Sequence, residues 1–143
     1  NLSDEAFSLF FIERNKVDFF PSVLDEIEKL SQKYILGCLT NGNANIEMIG
    51  IDKFFKFNIS SKDVKANKPS KNHFQEAKNL FGVNKNEILH IGDHPINDMQ
   101  GAIDYGFKAL WFNPNKEVWG LEGLDKPPEF SSWNSVTEKI YSL

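Results

Sequence analysis

Four short segments typical of strands, three of them nearly continuous apolar runs and each followed by polar or glycine residues, restrict the fold of this chain more than any other feature. They occupy residues 34–39, 57–60, 87–91 and 108–112. Segments with helical spacing of apolar residues separate and flank them, at 3–16, 21–30, 44–51, 69–81 and 97–105, with a last one reaching 136–140. Strands that alternate with helices in this way are typical of βαβ units around a parallel sheet. The sequence therefore predicts an α/β fold that binds ligands where its strands end.

The composition excludes several classes of protein. With 143 residues, 41% of them hydrophobic, the chain is long enough to form one domain with a sizeable core. Its net charge of −4 argues against a nucleic-acid partner. No apolar run approaches the roughly 18 residues of a membrane span. The chain has one cysteine and its start is not a signal peptide, so we expect a reducing, cytoplasmic location.

Two carboxylates follow the third of these segments. Asp93 comes directly after Gly92, and Asp98 lies a little further along the stretch HIGDHPINDMQGA. Two carboxylates at the carboxyl end of a buried strand form an oxygen-rich site that suits Mg²⁺. The alternative is structural, with Asp93 capping the next helix and Asp98 interacting with its dipole.

Two further groups of polar residues are candidates for the functional site: those that follow the first run, and the lysine that precedes Pro69. Thr40, Asn41 and Gly42 combine a hydroxyl with successive main-chain N–H groups, which is a natural phosphate cradle at a strand-to-helix turn. A simple turn would explain the same residues. Lys68 precedes Pro69, whose ring restricts the preceding backbone, so this lysine is a candidate for a fixed positive charge. A solvated surface lysine is the alternative.

The order of these groups resembles motifs II, III and IV of the haloacid dehalogenase-like (HAD) hydrolase superfamily. The motifs are a strand-end threonine, a Lys-Pro pair, and a Gly-Asp pair followed by a second aspartate, and the resemblance extends over about residues 17–113. It implies a Rossmann-like parallel sheet flanked by helices, and phosphoryl transfer that depends on Mg²⁺.

The resemblance also implies a role for each candidate. Thr40, with Asn41 and Gly42, would bind the phosphoryl oxygens of the substrate. Lys68 would neutralise phosphate and carboxylate charge. Asp93 would bind Mg²⁺, and Asp98 would hold either the metal or Lys68 in place. Lys68 and Asp98 are then the catalytic residues that this chain contributes.

One motif of the family is absent, because no two aspartates of the chain are spaced as Asp-x-Asp. In the family, the first of that pair attacks phosphorus and the second is the general acid and base. We therefore expect the chain to be the C-terminal part of a HAD-like protein, lacking the first central strand and most of the helical cap. Residues 1–16 would be the last cap helix, 17–113 the core and 114–143 a tail that completes it.

The absent strand would lie between the strands that end at Thr40 and Asp93. We expect this gap to be filled rather than closed, either by a missing N-terminal segment or by strand exchange between copies, because open strand edges pair readily with other chains. Direct pairing of the two strands would contradict this expectation.

The remaining histidines and the cysteine have no spacing typical of a zinc site. We expect His90, inside an apolar run, to be structural, and Cys38 to be a buried, inert thiol. His94 follows Asp93 and is a candidate for contact with substrate.

The resemblance predicts a Mg²⁺-dependent phosphatase acting on a small phosphomonoester, such as a nucleotide, flavin or sugar phosphate. The chain alone is expected to be inactive. Two alternatives stay open: a 2-haloacid dehalogenase, whose chemistry does not need Mg²⁺, and a non-catalytic HAD-like module for binding or interaction.

Overall fold

The structure is a computed structural model that describes residues 2–143. Its helices are α1 (Leu2–Arg14), α2 (Val23–Ser31), α3 (Ile46–Ile49), α4 (Ser61–Val64), α5 (Lys71–Phe81), α6 (Gly101–Tyr105) and α7 (Val136–Tyr141). Its strands are β1 (Gly37–Thr40), β2 (Phe57–Ser60), β3 (Leu89–Gly92), β4 (Lys108–Phe112) and β5 (Glu129–Phe130). Short 3-10 turns lie at Asp52–Phe54 and Lys85–Glu87, and a π-helical turn spans Pro95–Gln100.

All strand pairs are parallel. β1 pairs with β2, so that Thr40 lies opposite Ser60, and β3, β4 and β5 form a second sheet in which Gly92 lies opposite Trp111. Parallel strands need crossover connections. Helix α3 lies in the connection between β1 and β2 and α6 in that between β3 and β4, whereas residues 113–128, between β4 and β5, contain no helix. The α/β fold predicted from the four short segments is confirmed.

The two sheets do not join. Within residues 2–143, β1 pairs only with β2, and β3 pairs only with β4. One edge of β1 and one edge of β3 therefore have no strand partner. A cavity of ≈ 380 Å³, lined by residues 35–39 and 88–93, lies between these two strands. The strands have not closed the gap by direct pairing. What fills the gap stays a prediction.

The core lies on both faces of β4. Trp111 and Ala109 pack on one side with Phe74, which is fully buried. Leu110 and Phe112 pack on the other side in a second cluster. A strand that is buried on both faces explains why the run 108–112 is almost continuously apolar.

Helix α1 contributes no buried residue, and the side chains of Phe7 and Phe10 are 61% and 55% exposed. The next residue after α1, Asn15, is buried and bonds to the loop after β1. α1 is thus joined to the core mainly at its C-terminal end. No helix in the described part of the chain has both the length and the apolar content of a membrane span.

Candidate active site

The turn after β1 presents a hydroxyl at the carboxyl end of the sheet. Thr40 Oγ1 accepts a hydrogen bond from the main-chain N–H of Gly42 at 3.0 Å. Below it, the carbonyl of Thr40 accepts a hydrogen bond from Nε2–H of the buried His73 at 3.1 Å. The bond from His73 therefore holds the C-terminal end of β1 in place, and the Thr40 hydroxyl remains within the turn.

Asn41 connects this turn to the segment before α5. Its Oδ1 accepts from the main-chain N–H of Lys68 at 2.6 Å, and its Nδ2–H donates to the carbonyl of Lys68 at 3.0 Å. The side-chain amide thus pairs with the lysine main chain as a neighbouring strand would. Asn41 fixes the position of Lys68 relative to Thr40.

Lys68 and Asp98 form a buried ion pair. Lys68 Nζ lies 2.6 Å from Asp98 Oδ1 and also donates to the carbonyl of Leu39 at 3.1 Å. Nε2–H of His90 donates to the same Oδ1 at 3.1 Å. The side chains of Lys68 and Asp98 are 9% and 8% exposed. A charge pair this well buried is stable only when hydrogen bonds satisfy its atoms, as they do here.

The pKa values of this cluster follow from burial and charge. Burial alone would raise the pKa of Asp98, but the hydrogen bond from His90 and the charge of Lys68 outweigh it and hold this pKa well below its usual range. Burial lowers the pKa of His90 more than Asp98 raises it, so the His90 ring is neutral at pH 7. Asp98 is therefore ionised, and its charge balances that of Lys68.

Gly92 and the π-helical turn place the Asp98 side chain. A Cβ atom on Gly92 would lie 2.4 Å from Asp98 Cγ, so only glycine leaves room for this carboxylate. The main-chain N–H of His94 donates to Asp98 Oδ2 at 3.1 Å. The ring Nδ1 of His94 accepts from the N–H groups of Ile96 and Asn97, which begins the turn. The candidate substrate contact His94 is thus also a cap.

Asp93 is the exposed carboxylate of the site. Its carbonyl accepts a hydrogen bond from Trp111 Nε1–H at 2.9 Å, which fixes the residue at the end of β3. Its position suits a Mg²⁺ ligand, since Mg²⁺ takes one or two protein carboxylates and keeps several waters. Asp98 suits that role less well, because its carboxylate already accepts three hydrogen bonds. Among residues 2–143, no three His, Cys, Asp or Glu side chains come together as a metal site.

This geometry agrees with what a family comparison finds. A sequence profile of haloacid dehalogenase-like hydrolases matches residues 8–112. The chain belongs to this family.

Individual relatives of this HAD-like chain include both phosphatases and dehalogenases. It is 33% identical over 101 residues to 5-amino-6-(5-phospho-D-ribitylamino)uracil phosphatase YigB of Escherichia coli (strain K12), covering 71% of this chain and 42% of that protein. It is 31% identical over 100 residues to (S)-2-haloacid dehalogenase 4A of Burkholderia cepacia, covering 66% and 43%. The HAD-like chain thus spans less than half the length of these two relatives.

A solved structure matches almost the entire HAD-like chain. The crystal structure of 2-haloacid dehalogenase from Pseudomonas syringae pv. Tomato DC3000 superposes with a TM-score of 0.93 at 33% identity. The match covers 99% of this chain and 61% of that one.

The HAD-like chain brings the residues predicted from its motifs together at one edge. Asn41 bonds to Lys68, and Lys68 bonds to Asp98. Thr40 is linked to this group through Ser61, whose Oγ lies 3.4 Å from the carbonyl of Thr40 and 3.5 Å from Asn41 Oδ1. Asn113, the polar residue after β4, makes its side-chain hydrogen bonds to Glu117 and Glu129.

His90 was predicted to be structural, and the structure shows that it also contacts the ion pair of this HAD-like site. The alternation of apolar residues along 87–91 showed a strand but not which side chains face Asp98. The spacing of two between His90 and Gly92 could have predicted this contact, because it places both residues on the same face of β3, the face next to the Asp98 carboxylate.

Proposed function

We propose that this HAD-like hydrolase removes the phosphoryl group from a small phosphorylated substrate. The observation that carries this proposal is the buried Lys68–Asp98 pair, 2.6 Å apart, at the strand edge that also holds Thr40 and Asp93. Ammonium, hydroxyl and main-chain N–H groups at a strand end are donors that suit phosphoryl oxygens. The phosphatases among the relatives support the same class of substrate. Nucleotide, flavin and sugar phosphates are the proposed candidates.

Each residue would act through the atoms that it presents. The Thr40 hydroxyl and the main-chain N–H of Asn41 would bind the phosphoryl oxygens, and the N–H of Gly42, which donates to Thr40 Oγ1, would keep the hydroxyl oriented toward them. Lys68 would neutralise the charge that gathers on the transferred group. Asp98 would hold the lysine in place, since Lys68 Nζ is bound to its Oδ1.

Mg²⁺ is the proposed cofactor. Asp93 would hold it, and Asp98, whose Oδ2 already accepts from the N–H of His94 at 3.1 Å, would be the weaker second carboxylate. When bound, Mg²⁺ would neutralise charge on the phosphoryl oxygens and orient them.

We propose that the nucleophilic carboxylate reaches this site on a strand that fills the gap between β1 and β3. The 143 residues contain no Asp-x-Asp, and the gap has an unpaired strand edge on each side within residues 2–143. A parallel strand there would end beside Thr40 and Asp93. This strand would come from a further segment of the protein, because a second copy of these 143 residues could fill the gap by strand exchange but has no Asp-x-Asp to supply. These residues alone would be inactive. A cytoplasmic location is proposed with it.

Dehalogenation of a 2-haloacid is the second candidate. It is favoured by the close structural match to 2-haloacid dehalogenase at a TM-score of 0.93. The exposed Asp93 supports the phosphatase instead, because it would serve as a Mg²⁺ ligand, which the dehalogenase chemistry does not need. A non-catalytic binding module would show neither activity.

The test is hydrolysis by the complete natural protein. Phosphate release from nucleotide, flavin and sugar phosphates is measured with Mg²⁺ and with EDTA, and chloride release from 2-chloropropionate is measured beside it. Lys68→Met should reduce phosphate release at least about 100-fold, whereas Lys62→Met, at an exposed lysine of α4, should not. Chloride release that persists in EDTA, without phosphate release, would establish the dehalogenase.

A further inference from the structure

We propose that Arg14 binds an anionic group of the substrate at the turn after β1, and that Asn15 positions it there. The proposal rests on the proposed function and adds a residue that the family motifs do not include. Arg14 is the single arginine of the sequence and the last residue of α1. The ligand class is an oxyanion with two adjacent oxygens, which a guanidinium group binds in bidentate fashion.

The guanidinium of Arg14 lies beside the candidate phosphate cradle. A Cβ atom on Gly42 would be 3.2 Å from Arg14 Nη2 and 3.7 Å from Thr40 Oγ1. The guanidinium and the threonine hydroxyl therefore flank the same glycine. An anion held at this turn by Thr40 lies within reach of Arg14.

Asn15 holds α1 against this turn. Its Nδ2–H donates to the carbonyls of Phe11 at 2.9 Å and Asn43 at 3.4 Å, and its Oδ1 accepts from the N–H of Asn45 at 2.7 Å. Asn15 is 4% exposed, whereas no residue of α1 itself is buried. This asparagine thus determines where the C-terminal end of α1, and with it Arg14, sits on the core.

The charge of Arg14 has no ion-pair partner in the described part of the chain. Within residues 2–143, Arg14 has no ion pair and no hydrogen bond from its side chain, and the adjacent Glu13 is paired with Lys16 at 2.5 Å. Lys68 is neutralised by Asp98, and Asp93 adds a negative charge. Without Arg14, these side chains present a net charge of −1 to an incoming anion. Arg14 is the positive group at this turn that is free to attract one.

The experiment titrates the complete natural protein with inorganic phosphate, and separately with acetate, while NMR follows the amide signals of residues 40–43. Arg14→Ala should weaken binding roughly tenfold, the loss expected for a charged, bidentate contact. Lys16→Ala is the matched control, since it removes the same charge two residues away, and should change the Kd less than about twofold. Asn15→Ala should weaken binding as Arg14→Ala does, although Asn15 itself is buried.

The two titrants distinguish the ligand groups. An Arg14 effect on phosphate assigns the residue to a phosphoryl group, and an effect on acetate alone assigns it to a carboxylate. Equal affinities of wild type and Arg14→Ala for both anions would overturn the inference, while a loss of phosphate binding in Thr40→Val would leave the proposed function standing. If phosphate shifts none of these signals in wild type, both proposals fail.

Discussion

Lys68 Nζ and Asp98 Oδ1 lie 2.6 Å apart, thirty positions apart in sequence, with less than one-tenth of either side chain exposed. This pair joins the segment before α5 to the turn after β3. The carboxyl ends of β1 and β3 therefore keep a fixed relation to each other although the strands themselves do not pair.

Removing one partner of this pair should destabilise the protein strongly. Asp98→Ala leaves the Lys68 ammonium buried without its counter-charge, and we expect a loss of about 3–5 kcal/mol in the free energy of unfolding. Urea denaturation measures it. The control is Glu13→Ala, which removes a pair with Lys16 whose side chains are both 65% exposed and should change stability by at most about 1 kcal/mol. Equal effects of the two substitutions would show that the buried pair has no special role.

Gly92 should not tolerate even a methyl group. Gly92→Ala would put a Cβ atom 2.4 Å from Asp98 Cγ, so the carboxylate must move away from Lys68. We expect a loss of about 1–3 kcal/mol in urea denaturation. Gly120→Ala is the matched control, because a Cβ there has no atom within 4 Å. An unchanged stability for Gly92→Ala would mean that the carboxylate is not held where the structure places it.

The buried His73 should make stability depend on pH. Burial lowers its pKa below the ordinary value of 6.5, and its Nδ1 has no hydrogen-bond partner within residues 2–143. The unfolded chain therefore binds a proton that the folded chain does not, so the free energy of unfolding falls as the pH drops below 6.5. The loss is at most about 1.4 kcal/mol per pH unit. Urea denaturation between about pH 5 and about pH 8 should show a shallower dependence of stability on pH for His73→Gln.

Asp93 should carry the response to Mg²⁺. Titration with Mg²⁺ should shift the amide signals of residues 92–98. Asp93→Ala should abolish these shifts, because the Asp93 carboxylate is exposed whereas that of Asp98 is buried. The affinity should be weak, since the carboxylates that would complete the site are not among these residues. Asp104→Ala, at an exposed aspartate of α6, should respond as wild type does. Shifts of the same size in Asp93→Ala would remove Asp93 from the metal site.

Much of the fold follows from local pattern. The predicted strand 108–112, a short apolar run bounded by polar residues, coincides with β4, and the predicted strand 57–60, in which Phe57 and Ile59 alternate with polar residues, coincides with β2. The strand predicted over 34–39 is shifted to Gly37–Thr40. Its boundaries depend on pairing with β2, which the sequence of the run alone does not reveal.

The conformation of the turn that contains Asp98 could not be predicted from the local sequence pattern. The segment 97–105 was predicted as one helix, but Pro95–Gln100 forms a π-helical turn before α6. The widened turn follows from bonds of His94, whose carbonyl accepts from both Asp98 and Met99. Those contacts depend on the packing of Asp98 against Gly92 and Lys68, so tertiary structure determines them. The position of Arg14 beside Gly42 could not be predicted for the same reason, since it depends on how Asn15 bonds to the loop.

A crystal structure of the complete natural protein grown with Mg²⁺ and inorganic phosphate tests the central claim most directly. The account predicts that phosphate lies against Thr40 Oγ1 and Lys68 Nζ, and that a strand ending in a carboxylate pairs with both β1 and β3. A structure in which β1 and β3 bond directly to each other, or in which phosphate binds away from the Thr40 turn, would contradict it.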